Sequence, residues 1–260
     1  MSAEVRVEDV SYTYRGSRVP VMEGIDFTIR SGEFFVLLGP SGCGKTTILN
    51  QVAGFERCTS GEITVDGKPV TSPGPDRTVV FQGDDSLLGW LTVRQNVAFP
   101  LTIQHLPKEE RERRVESALS LVELSAHADK FPHELSGGMK QRVQIARGLS
   151  TDAAVLLMDE PFGALDAQTR SSLQVELGEI WMREQRTVLF ITHDIGEALL
   201  LADRVGVMSS GPRAYLHDVV EIDLPRPRER DDAFYRTYQR LEQTLADAKA
   251  RLGHGPSVAA

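Results

Sequence analysis

Gly39, Gly44, Lys45 and Thr46 stand in the stretch "GPSGCGKT" at the spacing G-x-x-x-x-G-K-T. That spacing is a phosphate cradle. Glycines let the backbone wrap closely round phosphate oxygens and turn N–H groups inward, and the loop formed by Gly39, Pro40, Ser41, Gly42, Cys43 and Gly44 supplies those groups. Lys45 brings a positive charge to the β- and γ-phosphates, Thr46 offers a hydroxyl to Mg²⁺, and Thr47 reaches the α-phosphate. The motif is credible only after a strand and before a helix. "FFVLL" (34–38) precedes it as a continuous apolar run, and "KTTILNQVA" follows it at helical periodicity up to Gly54.

Three further positions fit hydrolysis of a bound nucleoside triphosphate. "VLLMDE" ends an apolar run with Asp159 and Glu160. One carboxylate close to Mg²⁺ and a second that orients an attacking water are what the reaction needs, so Asp159 takes the metal role and Glu160 the general-base role. An isolated Asp-Glu pair is usually a solvated strand end; the apolar run before it and the glycine-rich loop upstream reverse that reading. "FITHD" places His193 at the end of another apolar run, the sheet edge where ligands of open α/β sheets bind, within reach of a γ-phosphate. Gln82 follows "TVVF" in the same manner, in reach of Mg²⁺ and the attacking water.

A second phosphate-binding helix start follows later, in "ELSGGMKQR" (134–142). A serine and two glycines open a helix, and a helix start offers free N–H groups and a positive dipole end. One chain therefore carries two such starts.

The elements that must hold these residues are legible in outline. Val5 and Val7, then Ile25, Phe27 and Ile29, alternate as half-buried strands, and Asp66-Gly67 in "EITVDGKPV" reads as a hairpin turn. From about 92 to 150 the texture is helical; 107–124 places Val115, Leu119 and Val122 on one side. Strands return at 154–158, 187–191 and 204–208, with helices near 168–184 and 194–201. Strands alternating with helices predict a mostly parallel sheet, with 84–150 a helical insertion into that α/β core. After the proline-punctuated "DLPRPRER" (223–230), Phe234, Tyr238, Leu241, Leu245, Ala248 and Leu252 recur at helical spacing, most simply a helix that packs on its own domain. Residues 253–260 read as a loose end.

Composition narrows the class. In 260 residues, 41% are hydrophobic and 25% charged, ordinary for a globular protein, and the net charge of −8 with no basic stripe disfavours nucleic acid. No apolar run reaches the length that spans a bilayer, and the N-terminus does not read as a signal peptide. The two cysteines, Cys43 and Cys58, read as reduced thiols.

Taken together, the chain resembles the ATP-binding subunit of an ATP-binding cassette (ABC) transporter. "GPSGCGKTT" resembles the Walker A loop, "VLLMDE" the Walker B strand and "LSGGMKQR" the signature motif; "FQ" at 81–82, "GALD" at 163–166 and "THD" at 192–194 resemble the Q-, D- and H-loops. The match runs over about residues 4–225. "GPDRTVVFQGDDSLLGWLTVRQNVAFPL", "DEPFGALDAQTR" and "EIDLPRPR" are similar to the nitrate/sulfonate/taurine import branch, although Met139 stands where the signature usually has glutamine and Gly89 where the branch has proline.

The resemblance implies a P-loop NTPase α/β core with an antiparallel β subdomain and an inserted α-helical subdomain. Residues 1–225 would form the ATP-binding domain (helical subdomain about 84–150), and 226–260 a C-terminal helical extension and tail. It implies ATP and Mg²⁺ as cofactors, with Mg²⁺ at Thr46, Gln82 and Asp159, and Glu160, His193 and Gln82 as the catalytic set. Tyr14, with Tyr12 its rival, would stack on adenine, and Asp166 of the D-loop would join the nucleotide-binding residues. The family works as a head-to-tail dimer, so Ser136, Gly137 and Gly138 would meet the γ-phosphate held by a second copy. Transmembrane permease subunits, and through them a substrate-binding protein, would be the other partners, at the cytoplasmic face of the membrane. The apolar cluster Leu87, Leu88, Trp90 and Leu91 is the candidate surface for the permease.

Overall fold

The computed structural model describes residues 2–82, 86–163 and 165–250. Gly83, Asp84 and Asp85 of the Q-loop segment, Ala164 of the D-loop, and the tail with Leu252 and 253–260 lie outside the described residues. In chain order the elements are β1 (Val5–Tyr12), β2 (Met22–Ile29), β3 (Phe34–Leu38), α1 (Lys45–Ala53), β4 (Ser60–Val65) and β5 (Lys68–Pro69). Next come β6 (Arg77–Val80), α2 (Val93–Ile103), α3 (Lys108–Leu121), α4 (Gly137–Leu149), β7 (Val155–Asp159) and α5 (Ala167–Glu184). The last are β8 (Thr187–Thr192), α6 (Ile195–Leu201), β9 (Arg204–Met208), β10 (Leu216–Glu221) and α7 (Asp232–Ala250). The chain divides into two compact units: Pro75–Gln185, and the two stretches that flank it in sequence.

The flanking unit holds two sheets. One is antiparallel, with neighbours in the order β2-β1-β4-β5. Its inward residues are those whose alternation marked them: Val5, Val7, Ile25 and Ile29 are fully buried. Gly61 is fixed there by space, since a Cβ would lie 2.3 Å from the Asp9 carbonyl oxygen. In the other sheet β3 lies parallel to both β8 and β9, and β10 closes the run antiparallel to β9. Every residue of β3 and β8 is buried, as expected of central parallel strands. Helix α7 packs against α6, β9 and β10 through Phe234, Leu241, Leu245 and Ala248.

The Pro75–Gln185 unit pairs β6 and β7 in parallel and gathers α2, α3 and α4 into a helical layer. Val115, Leu119 and Val122 are buried there. The Thr92 hydroxyl accepts from the Gln95 amide and the Gln95 side chain accepts from the Thr92 amide, a closed capping box that starts α2. Helix α4 approaches β6 so closely that a Cβ on Gly148 would lie 2.6 Å from Val80 Cγ2. Strand β10 is absent from the sequence reading: "LHDVVE" mixes polar and apolar residues without clean alternation, and burial there is correspondingly ragged. Among the described residues no helix is long and apolar enough to cross a membrane.

Candidate functional site

The flanking unit carries the glycine-rich loop between β3 and α1. Gly39 has little room for a side chain, since a Cβ there would stand 3.0 Å from both Cys43 Sγ and Met208 Cβ. Gly44 is the N-cap of α1 at φ 99, ψ 8, a left-handed geometry that L side chains avoid. With glycine as N-cap, no capping side chain meets the first-turn N–H groups. Lys45 is 5% exposed, and its ammonium donates to Gly39 O at 2.8 Å and Pro40 O at 3.0 Å. A buried cation held by neutral carbonyls favours an incoming anion, and with the N–H groups of α1 it forms a donor set that fits a phosphate chain. Thr46 is exposed and Thr47 buried. Burial pushes the Cys43 thiol pKa up, so this cysteine stays protonated inside the loop.

Two more expected residues share this unit. Tyr14 is 49% exposed, and its hydroxyl lies 3.2 Å from Thr47 Oγ1, which sets its ring beside the loop. Tyr12 meets Tyr14 edge-to-face at 5.0 Å. His193 is exposed in the turn between Thr192, the last residue of β8, and Asp194, the N-cap of α6.

The Pro75–Gln185 unit carries the acidic residues. Asp159 ends the fully buried β7 and is 6% exposed. Successive strand residues should point to opposite faces. Glu160 escapes that alternation because its backbone turns into the left-handed region at φ 42, a costly geometry for a non-glycine residue and one that clusters at functional sites. Gln82 Nε2 then donates to Glu160 Oε2 at 3.2 Å, so the structure brings these two expected residues together. Asp166 caps α5, accepting from Gln168 N at 3.1 Å and Thr169 N at 3.0 Å. The Thr169 N–H, with the Gln168 N–H behind it, holds the Asp166 carboxyl below the usual carboxylate range.

Helix α4 opens differently from α1. Ser136 is its N-cap, and Ser136 Oγ accepts from Met139 N at 3.3 Å. A Cβ on Gly137 would meet nothing within 4 Å, and one on Gly138 would come to 3.5 Å from Leu165 Cδ2. A cleft of about 180 Å³ lies beside this helix start, lined among others by Ser136, Gly138, Met139, Arg142, Asp166 and Thr169. Arg142 fixes its floor, donating to Val122 O, Glu123 Oε2 and Thr169 Oγ1, each at 3.1 Å. Arg142 and Arg147, which holds Ser86 O and Oγ at 2.8 Å, were not singled out in the sequence; "MKQRVQIARG" gives them only helical spacing.

Of the cluster Leu87, Leu88, Trp90 and Leu91, Trp90 is 74% exposed, while the three leucines are half-buried. Asn96 pins their backbone. Its side chain accepts from Leu88 N and donates to Leu88 O, Leu91 O and Thr92 O.

A phosphate loop between a buried parallel strand and a helix, with a strand-end carboxylate pair, defines an α/β nucleoside-triphosphate-binding cassette. The ABC transporter family's sequence profile matches residues 22–163, and the chain belongs to that family as one of its ATP-binding proteins. It is 48% identical over 240 residues to the bicarbonate transport ATP-binding protein CmpC of Synechococcus elongatus, covering 90% of this chain but only 36% of that one. It is 51% identical over 221 residues to the nitrate import ATP-binding protein NrtD of the same organism, covering 84% of this chain and 80% of the relative. A solved dimer of the ATP-binding cassette MJ0796 bound to ADP and phosphate shares the fold, with a TM-score of 0.75 and 30% identity over 84% of this chain and 98% of that one.

Proposed function

We propose that the chain is the ATP-hydrolysing, nucleotide-binding subunit of an ABC importer for a small anion. The observation that carries hydrolysis is Glu160, thrown out of the strand alternation at φ 42 and held by the amide of Gln82. A carboxylate so placed polarises and orients a water, and its amide partner orients the carboxylate. Lys45 and the α1 N–H groups bind the phosphates, Tyr14 stacks on the adenine, Asp166 completes the nucleotide-binding set, and His193 contacts the γ-phosphate. Thr46, Gln82 and Asp159 would hold Mg²⁺, which would neutralise charge that develops on the phosphate.

Ser136, Gly137 and Gly138 serve the nucleotide of a second copy, in a head-to-tail dimer. ATP binds the closed dimer better than the open one, and hydrolysis removes that difference. The relatives' names, nitrate import and bicarbonate transport, support a small anion as cargo, and sulfonate or taurine belongs to the same reading. The remaining partners are membrane permease subunits, reached through Trp90, and a substrate-binding protein behind them. The chain then sits peripherally at the cytoplasmic face. Residues 1–225 are the ATP-binding domain, with its helical subdomain at about 84–150, and 226–260 an extension.

The test is ATP hydrolysis by the purified chain with Mg²⁺. Glu160→Gln should bind ATP as the parent does and hydrolyse it at least about 10²-fold more slowly. A variant that keeps its turnover removes Glu160 from the role.

A further inference from the structure

The segment between β10 and α7 contains two arginines whose hydrogen bonds go to the far end of α6, the helix that begins right after His193. From Ile222 to Glu229 burial alternates residue by residue, through a bend at 226–227. Leu224, Arg226 and Arg228 turn inward; Asp223, Pro225, Pro227 and Glu229 turn out. The prolines sit on the outer side, where their missing N–H costs no hydrogen bond, and each fixes its own φ. That alternation delivers two guanidinium groups to one helix end. Arg228 Nη1 donates to Leu199 O at 2.6 Å, and Arg226 Nη2 donates to Leu201 O at 2.7 Å and to Asp203 Oδ1 at 2.8 Å. Arg228 also turns back on its own segment, to Leu224 O and Ile222 O at 3.4 Å.

Helix α6 has seven residues, too few to hold its shape alone. Its last carbonyls have no partners within the helix, and cations near them are favourable. Its other end is equally tied. Glu197, buried, receives the Thr192 hydroxyl at 2.7 Å; Asp194 Oδ1 accepts from Glu197 N at 3.1 Å; and Thr192 Oγ1 accepts from Asp194 N at 3.0 Å. Residue 193 lies inside that ring of bonds. Asp203 ties the arginine end to the sheet, since its Oδ2 accepts from Phe34 N at 2.9 Å at the start of the strand that ends in the phosphate loop. Burial pushes Arg228 down to about 10, as expected of a guanidinium held in the protein mainly by carbonyl oxygens.

We propose that Arg226 and Arg228 are positioning residues for His193: they clamp the C-terminal carbonyls of α6 and so fix, about 10 Å away along this helix, the turn that presents the histidine. The inference rests on His193 as the γ-phosphate contact. It gives the proline-punctuated segment, outside the phosphate chemistry in the sequence, a part in turnover. A misplacement of the histidine of the order of an ångström costs between about ten- and a hundredfold in rate.

The experiment is steady-state ATP hydrolysis by the full chain carrying Arg226→Gln with Arg228→Gln, each change alone, and Arg228→Lys. All are made in the parent and in a His193→Ala background. The expected result is a fall in kcat of between about ten- and a hundredfold for the double change with KM for ATP within about twofold, partial recovery in Arg228→Lys, and no further fall once His193 is alanine. Equal falls in both backgrounds, or a change confined to KM, would mean a merely structural strap and would overturn the inference. If the double variant fails to fold, Arg228→Lys and the single variants carry the same comparison. Full turnover in His193→Ala alone identifies the histidine's role, rather than the strap, as the failed premise, and the inference falls with it.

Discussion

Two helices of this chain begin in glycine-rich sequence, and the two beginnings are built in opposite ways. At α1 the N-cap is a left-handed glycine, the loop is wedged against Met208, and a buried lysine is held by two loop carbonyls. At α4 the N-cap serine bonds its own first turn, and the glycine after it faces open space. The first start offers a buried ammonium and uncapped first-turn N–H groups to an anion. The second has one first-turn N–H met by its own N-cap serine and an unobstructed glycine backbone beside it. On the proposed function, one chain would hold its own nucleotide at the first start and meet a second copy's nucleotide at the second, as a head-to-tail dimer requires.

The comparison breaks most sharply at Lys45. Lys45→Ala should abolish nucleotide binding to the chain and lower hydrolysis by at least about 10²–10³-fold, as removal of a preorganised donor does; fluorescent-nucleotide titration and phosphate release measure both. Gly137→Asp is the matching change at the other start. Nothing obstructs the new side chain, and a carboxylate at the first turn should leave melting unchanged or raise stability by about 0.3–1 kcal/mol. Nucleotide binding to the monomer should also be unchanged, yet hydrolysis should fall at least about tenfold, because the charge faces a γ-phosphate.

Gly148→Ala tests what holds α4 in place: with 2.6 Å to Val80 Cγ2, it should cost about 1–3 kcal/mol of stability in denaturant titration, while the α1 loop still binds nucleotide.

The smallest effect concerns Asp166. Its folded pKa lies below the ordinary value of 3.8, so its contribution is full above that value and is lost as the pH falls through the depressed one. Asparagine keeps the cap but lacks the charge, so Asp166→Asn should melt slightly below the parent near neutrality. The advantage of the parent over Asn should appear constant down to about pH 5 and shrink in more acidic solution.

How much of this was legible in sequence varies with the physics. The phosphate loop and α1 read off residue by residue, because glycine spacing, the apolar run of β3 and the stop at Gly54 all act locally; Gly54 caps α1 at φ 84. Glu160 was legible as a carboxylate at a strand end, but its left-handed backbone was not, since nothing in "MDEP" demands it. Arg142, Arg147 and the arginines of "PRPR" were invisible as organisers, because their partners are carbonyl oxygens far away in sequence, and any residue type supplies a carbonyl. Trp90 shows the reverse: the sequence marks four apolar residues together as a candidate permease surface, yet three are half-buried, with Asn96 bonded to the backbone of Leu88 and Leu91, and the tryptophan alone is exposed.

The central claim, two half-sites in one chain, is tested most directly by the mass of the Glu160→Gln chain in solution with and without ATP. A monomer is expected without nucleotide, a dimer with it, and no dimer when Gly137→Asp is added, although the monomer still binds ATP. A Glu160→Gln chain that binds ATP and stays monomeric, or a dimer that Gly137→Asp leaves intact, would contradict it.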